Sequence, residues 1–183
     1  MLYCLVARGF EEIETVTTVD ILRRAGIDVC TVGISKINSD MIVGAHNMTL
    51  VTDLKQKEVS TKNLEGIILP GGMPGTTNLE KSKTVGELVR YCAENDKYIF
   101  AICAAPQILG HMGLLKGKHA TCYPGFEGEL IGADYKEDAS AVLDGKIVTG
   151  RGPGCTVDFA MLIVELLKGA DVAEKLRDSM QCP

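Results

Sequence analysis

The chain contains at residues 98–106 the stretch Tyr98-Ile99-Phe100-Ala101-Ile102-Cys103-Ala104-Ala105-Pro106. An apolar run typical of a buried strand ends at the cysteine, and a segment of helical character follows at once. Alanines stand two positions before and two positions after the cysteine, and such small neighbours allow a sharp strand-to-helix turn. This is the pattern of a nucleophile elbow with cysteine in place of serine. We therefore expect Cys103 to end a strand in a strained, positive-φ conformation.

The thiol of Cys103 should face the first turn of the following helix. Free amide protons and the helix dipole favour a thiolate there, so we expect its pKa to fall by one to several units from about 8.5. The competing interpretation is a core cysteine that merely precedes a helix, since free cysteines are commonly buried. The strand end and the small flanking residues favour the nucleophile.

Strand and helix patterns alternate on both sides of this stretch. Strand-like runs occupy residues 2–7, 27–34, 66–69, 119–123 and 146–149, and helical spacing of apolar residues marks 13–25, 85–92 and 156–167. A further segment, 41–51, is typical of a hairpin. The alternation extends over residues 1–183, which we interpret as a single domain with a mostly parallel sheet and helices on both faces. Functional sites of such sheets lie beyond the carboxyl ends of the strands.

Composition narrows the class of protein. The 183 residues are 46% hydrophobic and carry a formal net charge of −5, which is typical of a globular protein and does not favour nucleic acid or an anionic membrane as a partner. The seven cysteines are odd in number and include no C-x-x-C pair, which indicates a reducing, cytoplasmic setting rather than disulfides or a zinc finger. The spacing of the three histidines predicts no metal site.

Acidic residues open the first helix, in Gly9-Phe10-Glu11-Glu12-Ile13-Glu14. Acids in a first turn complement the helix dipole, and this accounts for Glu11 and Glu12. Glu14 can instead face the neighbouring strand ends and meet Cys103. A glutamate kept protonated in an apolar crevice can donate a hydrogen bond to a thiolate and move a proton.

Two glycine-rich loops also follow strands. Pro70-Gly71-Gly72 is either a tight turn or, close to Cys103, a set of backbone N–H donors for an oxyanion, to which the N–H of Ala104 would add. Gly150-Arg151-Gly152-Pro153-Gly154 is interpreted as a structural wall of the pocket, with Arg151 and Pro153 in it.

These segments resemble the ThiJ/PfpI superfamily and, within it, the DJ-one branch. The matching segments are Gly9–Thr15, Leu69–Gly72, Ala101–Pro106 and Arg151–Gly154, and they come in the family's order and spacing. The resemblance implies a flavodoxin-like, class I glutamine amidotransferase-like three-layer sandwich and a homodimer without a cofactor. It also implies that Cys103 is an oxidation-sensitive nucleophile, that Glu14 is the protonated carboxyl in contact with it, and that Gly71 and Gly72 are backbone donors.

The sequence departs from its relatives at two positions. Ala104 stands where the protease-like branch has histidine, which removes the basis for a Cys-His peptidase. Tyr123 stands where some members of the DJ-one branch have histidine, so a mechanism that needs that imidazole does not apply, although the phenol of Tyr123 can hydrogen-bond a substrate from the pocket wall.

The function that the resemblance favours is glyoxalase III or protein deglycase chemistry on α-oxoaldehydes such as methylglyoxal, or on their early adducts. The substrate would be a small carbonyl compound or a glycated adduct. One alternative is a redox-sensing, stress-protective or chaperone protein in which oxidation of Cys103 is itself the function. Another alternative is a cysteine hydrolase.

Overall fold

The structure is a computed structural model, and it describes residues 1–182. The strands are β1 Leu2–Ala7, β2 Val29–Ile34, β3 Met41–Val43, β4 Thr49–Val51, β5 Leu54–Lys55, β6 Gly66–Leu69, β7 Tyr98–Ile102, β8 His119–Ala120, β9 Asp134–Tyr135, β10 Ala141–Asp144 and β11 Ile147–Gly150. The α-helices are α1 Glu12–Arg24, α2 Gly75–Glu80, α3 Lys83–Glu94, α4 Pro106–His111, α5 Thr156–Lys168 and α6 Ala170–Ser179.

Seven strands form the central sheet in the order β10-β11-β7-β6-β1-β2-β5. All neighbouring pairs are parallel except β10 with β11. Because β6, β1 and β7 are adjacent and parallel, the segments that follow them meet at one edge of the sheet. The mostly parallel sheet predicted from the alternation is confirmed.

The sheet separates two apolar cores, as a three-layer sandwich requires. Alternate residues of β1 enter opposite cores: Tyr3 and Leu5 pack with α2, α3 and α4, whereas Cys4 and Val6 pack with α1, α5 and α6. All six residues of β1 are buried. Burial on both faces is the reason that this strand is a continuous apolar run rather than an alternating one.

Several elements differ from the sequence prediction. The sequence prediction marks no helix at 75–80, where the structure has the short helix α2, and none after 156–167, where it has a final helix, α6. The apolar spacing in α1 also predicts that Ile13 and Val16 face the core. This is wrong, because they are 54% and 52% exposed. Glu14, Thr15 and Thr18 are buried in their place, whereas Val19 and Leu22 are buried as expected, so only the first half of the helix turns polar side chains inward. The interpretation of 41–51 as a hairpin is confirmed by the antiparallel pair of β3 and β4.

Among residues 1–182, every helix is too short or too polar to cross a lipid bilayer.

Candidate active site

Cys103 follows β7 in the left-handed region, with φ of 65°, a conformation that non-glycine residues rarely adopt. Its backbone is fixed on both sides: its N–H donates to the Gly150 carbonyl at 2.9 Å, and its carbonyl accepts from Tyr123 N–H at 2.9 Å. Ala101 and Ala105 are fully buried. The positive φ predicted for an elbow is confirmed, and the two flanking methyl groups fit where longer side chains would not.

Glu14 reaches this elbow from the first turn of α1. It is 1% exposed, and its Oε2 accepts a hydrogen bond from Gly71 N–H at 2.8 Å. The other oxygen, Oε1, is buried without a hydrogen-bond partner among the described residues. Glu11, one turn earlier, caps the helix by accepting from Glu14 N–H at 2.7 Å, so Glu11 serves the helix and Glu14 does not.

Gly71 lies where the nucleophile and the carboxyl meet. A Cβ placed on this glycine would lie 2.8 Å from Glu14 Oε2 and 3.0 Å from Cys103 Sγ. Both distances are below ordinary van der Waals contact, so only glycine leaves room for the two groups at once. The convergence of sulfur and carboxyl on one point is the central geometric fact of the site.

Burial raises the pKa of Glu14 to about 7, against the opposing influence of the Cys103 thiol and the Gly71 N–H. The pKa of Cys103 is also raised, first by burial and then by the charge of the Glu14 carboxylate, while the N–H groups of Gly72 and Ala104 act in the opposite direction. The expected lowering of the thiol pKa is therefore wrong. α4 has six residues and begins only at Pro106, so its dipole is too small and too far along the chain to offset burial.

The two groups titrate as a pair. Loss of one proton from the pair leaves either a thiol beside a carboxylate or a thiolate beside a protonated glutamate. In the second form Glu14 keeps its proton, so no carboxylate repels the sulfur, and the Gly72 and Ala104 amides favour the thiolate. Proton exchange within the pair, rather than a helix dipole, is how this site can present a nucleophile.

The predicted backbone donors separate into two kinds. The N–H groups of Gly72 and Ala104 face the sulfur. The N–H of Gly71 is already engaged by Glu14, so Gly71 holds the acid in place and is not free to receive an oxyanion. The prediction for Gly71 is corrected to that extent.

The predicted wall residues lie on two segments beside the elbow. Tyr123 is 46% exposed, and its ring lies against Gly152, where a Cβ would be 3.0 Å from Tyr123 Cδ2. Arg151 and Pro153 flank that glycine, and Arg151 N–H donates to the Ser140 carbonyl at 3.0 Å. The two segments therefore contact each other next to the residues that hold Cys103.

The histidines serve carboxylates elsewhere. His46 Nδ1 lies 2.8 Å from Glu12 Oε2, and His119 Nδ1 lies 2.9 Å from Asp134 Oδ2. His111 contacts Glu80 and Glu129. Sequence reasoning missed these pairs, because their partners are far apart along the chain and no local spacing marks them.

Only one group within residues 1–182 has the donor geometry that a metal ion needs: donor atoms of Glu11, Glu12 and His46 lie within 4.8 Å of one another. Glu12 already accepts hydrogen bonds from the backbone N–H of His46 at 2.7 Å and of Met48 at 3.4 Å. These bonds fasten the β3–β4 hairpin to the start of α1.

Known proteins share this arrangement of sequence and fold. The chain is 37% identical over 169 residues to Protein DJ-1 homolog B of Arabidopsis thaliana, covering 92% of the chain but only 38% of that longer protein. It is 33% identical to Glutathione-independent glyoxalase DJR-1.2 of Caenorhabditis elegans, covering 91% of the chain and 87% of that protein. The crystal structure of Drosophila melanogaster DJ-1beta superposes with a TM-score of 0.93 at 31% identity, covering 100% of this chain and 97% of that one.

The model of the DJ-1/PfpI family matches residues 2–166. That match includes β1, the first turn of α1 with Glu14, the Gly71–Gly72 loop, the elbow at Cys103 and the wall at 151–153. The resemblance stated from the motifs is thereby confirmed, and the chain belongs to the DJ-1/PfpI family.

Proposed function

We propose that the chain converts α-oxoaldehydes such as methylglyoxal into hydroxy acids, using its own thiol and carboxyl group. The observation that carries the proposal is the convergence of Cys103 Sγ and Glu14 Oε2 on the space that a Cβ of residue 71 would fill. A substrate carbon bonded to that sulfur lies beside a carboxyl whose pKa of about 7 suits both uptake and return of a proton at neutral pH.

In the first step the sulfur attacks the aldehyde carbon, and the thiol proton ends on the aldehyde oxygen to give a hemithioacetal. Glu14, as carboxylate, removes the proton from that carbon. The hydroxyl proton on the former aldehyde oxygen then passes to the former ketone oxygen, and Glu14 returns its proton to the former ketone carbon. The enediolate formed between these two transfers carries negative charge, which the N–H groups of Gly72 and Ala104 can stabilise. The product is a thioester, and water cleaves it to release the hydroxy acid and the free thiol.

An aldehyde suits this site better than a peptide does. Peptide cleavage expels an amine and needs a base that becomes an acid for that leaving group. Ala104 supplies no imidazole, and His46, His111 and His119 pair with other carboxylates. Hemithioacetal formation expels nothing, so the thiol and Glu14 suffice.

The test is conversion of methylglyoxal with lactate as the readout. Cys103→Ser should lower the rate of lactate formation by at least about 100-fold, because a serine hydroxyl without an imidazole base is a poor nucleophile. Cys30→Ser is the matched control, since Cys30 is a half-buried free thiol on β2, and it should retain wild-type activity. Lactate formation that survives in Cys103→Ser would overturn the proposal.

A second candidate function is redox sensing through the same sulfur. Protonated Glu14 can donate a hydrogen bond through its Oε1, and the N–H groups of Gly72 and Ala104 can donate as well, so these groups form a set of donors that can hold a sulfinate. Mild peroxide should then carry Cys103 to the sulfinic state and stop there, whereas Glu14→Leu should give a different mixture by intact-mass measurement. An unchanged mixture would count against the contact.

We also infer that two copies of the chain associate. Apolar side chains of α1 and of the hairpin are exposed together: Ile13, Val16, Met41, Met48 and Val51 are each more than half exposed. The bonds of Glu12 to His46 and Met48 place the hairpin against α1, so these side chains form one patch, and such patches are commonly covered by a partner. Light scattering should give twice the chain mass of 19.6 kDa, and a monomer mass at micromolar concentration would refute the inference.

A further inference from the structure

His111 is bonded on both sides of its ring. Its Nδ1 contacts the Glu80 carboxylate, and its Nε2 lies 2.7 Å from Glu129 Oε2. Gln107, one turn earlier, donates to the second Glu80 oxygen at 3.0 Å. Carboxylates only accept hydrogen bonds, so both ring nitrogens must carry a proton for both contacts to form. The geometry therefore requires the imidazolium form of His111.

Glu80, His111 and Glu129 lie on three segments, each of which begins a few residues after a residue of the site. Glu80 ends α2, which begins three residues after Gly72, and His111 ends α4, which begins three residues after Cys103. Glu129 ends a 3₁₀ turn over Glu127–Glu129, on the segment that follows Tyr123. The His111 side chain thus connects the segments that follow the Gly71–Gly72 loop, Cys103 and Tyr123.

The backbone supports the same connection. Gly110, directly before His111, packs so closely on the Glu129 carbonyl oxygen that a Cβ at this position would collide with it. α4 and the 3₁₀ turn are therefore in direct backbone contact, and a change at His111 bears on the position of the turn.

We propose that His111 is a positioning residue: as an imidazolium it holds the Tyr123 segment and α2 against the elbow, and on losing its proton it releases one of the two carboxylates. This positioning role does not depend on the proposed function. The cluster of Glu80, His111 and Glu129 is called the clasp below.

The clasp has a defined dependence on pH. Within residues 1–182, the titratable groups that act on His111 are Glu80 from α2 and Glu129 from the 3₁₀ turn, and the neutral Gln107 of α4 donates to Glu80. These carboxylates raise the pKa of His111 above its ordinary value, Glu80 most strongly, against a smaller opposing effect of burial. The clasp is therefore fully formed below the ordinary histidine pKa and opens as pH rises through the raised value.

The test follows the Tyr123 amide by NMR between pH 5.5 and 9, because that N–H donates to the Cys103 carbonyl. The background is Glu14→Gln, which removes the titration of Glu14 in the same range. This background lacks the proposed catalytic acid, so the outcome does not depend on whether the chain is a glyoxalase. The Tyr123 amide should titrate with the same midpoint as the His111 ring.

Three variants distinguish a direct effect of the clasp from an indirect effect. His111→Gln in this background should abolish the transition of the Tyr123 amide, whereas His119→Gln, which removes an exposed ion pair with Asp134, should leave it unchanged. Glu129→Gln keeps the acceptor oxygen but removes one charge, so both midpoints should fall together by about half a pH unit. Three outcomes would overturn the proposal. The Tyr123 amide shows no transition, its transition persists in His111→Gln, or its midpoint stays fixed in Glu129→Gln while the midpoint of the ring falls.

Discussion

Glu12 and Glu14 stand two residues apart in the first turn of α1, are both buried, and behave as different acids. Glu12 faces the hairpin and accepts hydrogen bonds from two backbone N–H groups and the His46 ring. Glu14 faces Cys103 and accepts one hydrogen bond from Gly71, and its other oxygen has no partner within residues 1–182. The pKa of Glu12 is lowered by the donors of His46 and Met48 in spite of its burial, and the pKa of Glu14 is raised to about 7 by burial.

Depth of burial and the number of donors together decide whether a carboxyl ionises: Glu14 lies deeper in the protein than Glu12 and receives fewer hydrogen bonds. The hairpin supplies Glu12 with enough donors to keep it charged, and it becomes a structural anchor. The loops around Cys103 give Glu14 too few donors, and its proton becomes available for chemistry. Glu12 and Glu14 thus have different roles, one structural and one chemical, because each faces a different segment.

The largest difference between the two acids should appear in turnover. Glu14→Gln keeps the size of the side chain but cannot carry a proton between substrate carbons, so lactate formation from methylglyoxal should fall by about 10²- to 10⁴-fold. Glu12→Gln is the matched variant, and it should lose less than about tenfold, because the acid that faces Cys103 is intact. Similar losses in both variants would show that the first turn acts only as a scaffold.

The next effect is on stability, with opposite signs at the two positions. A buried carboxyl with a raised pKa binds more protons in the folded state, so the stability it confers is present below about pH 4.5 and is lost as pH rises through about 7. Glu14→Gln should therefore be more stable than wild type at pH 8.5 by about 2 kcal/mol. Urea unfolding at pH 5 and pH 8.5 measures this, and a gain that is equal at both values would contradict the assigned pKa.

The smallest effect is expected at Glu12, which holds the β3–β4 hairpin against α1. Glu12→Ala leaves the backbone N–H groups of His46 and Met48 without their acceptor, at a cost of about 1 to 2 kcal/mol by urea unfolding. Amide hydrogen exchange should increase in 44–48 and stay unchanged around Cys103. Protection that stays high in 44–48 would mean that β3 and β4, and not Glu12, hold the hairpin.

The sequence carries the information for the elbow because every requirement there is local. A buried strand, small residues at 101 and 105 and a following helix specify the turn, and Cys103 adopts the positive φ that the pattern predicts. The parallel sheet follows from the alternation for the same reason. Glu14 could be proposed as the partner because β1 and β7 must end at one edge of such a sheet.

What the sequence did not predict depends on contacts between distant segments. Apolar spacing places Ile13 and Val16 inward, but Glu14 and Thr15 are buried there instead, so the first turns of the helix depart from its apolar stripe. The pKa of Cys103 depends on how deeply the thiol is buried and on the charge of a glutamate from another segment, neither of which a local motif specifies. The different roles of the Gly71 and Gly72 N–H groups depend on which of them the Glu14 carboxyl contacts.

The positive φ of Cys103 has a consequence for how such a chain evolves. A left-handed residue that is not glycine costs about 1 kcal/mol or more, and a buried carboxyl without enough donors adds to that cost above neutral pH. Selection for stability alone would therefore favour Cys103→Gly and Glu14→Gln, the substitutions that remove the chemistry. A population of variants screened only for thermal resistance should therefore lose Cys103 and Glu14 first. If a second selection, for the chemistry of the site, retains both residues, their retention shows that this chemistry matters to the cell.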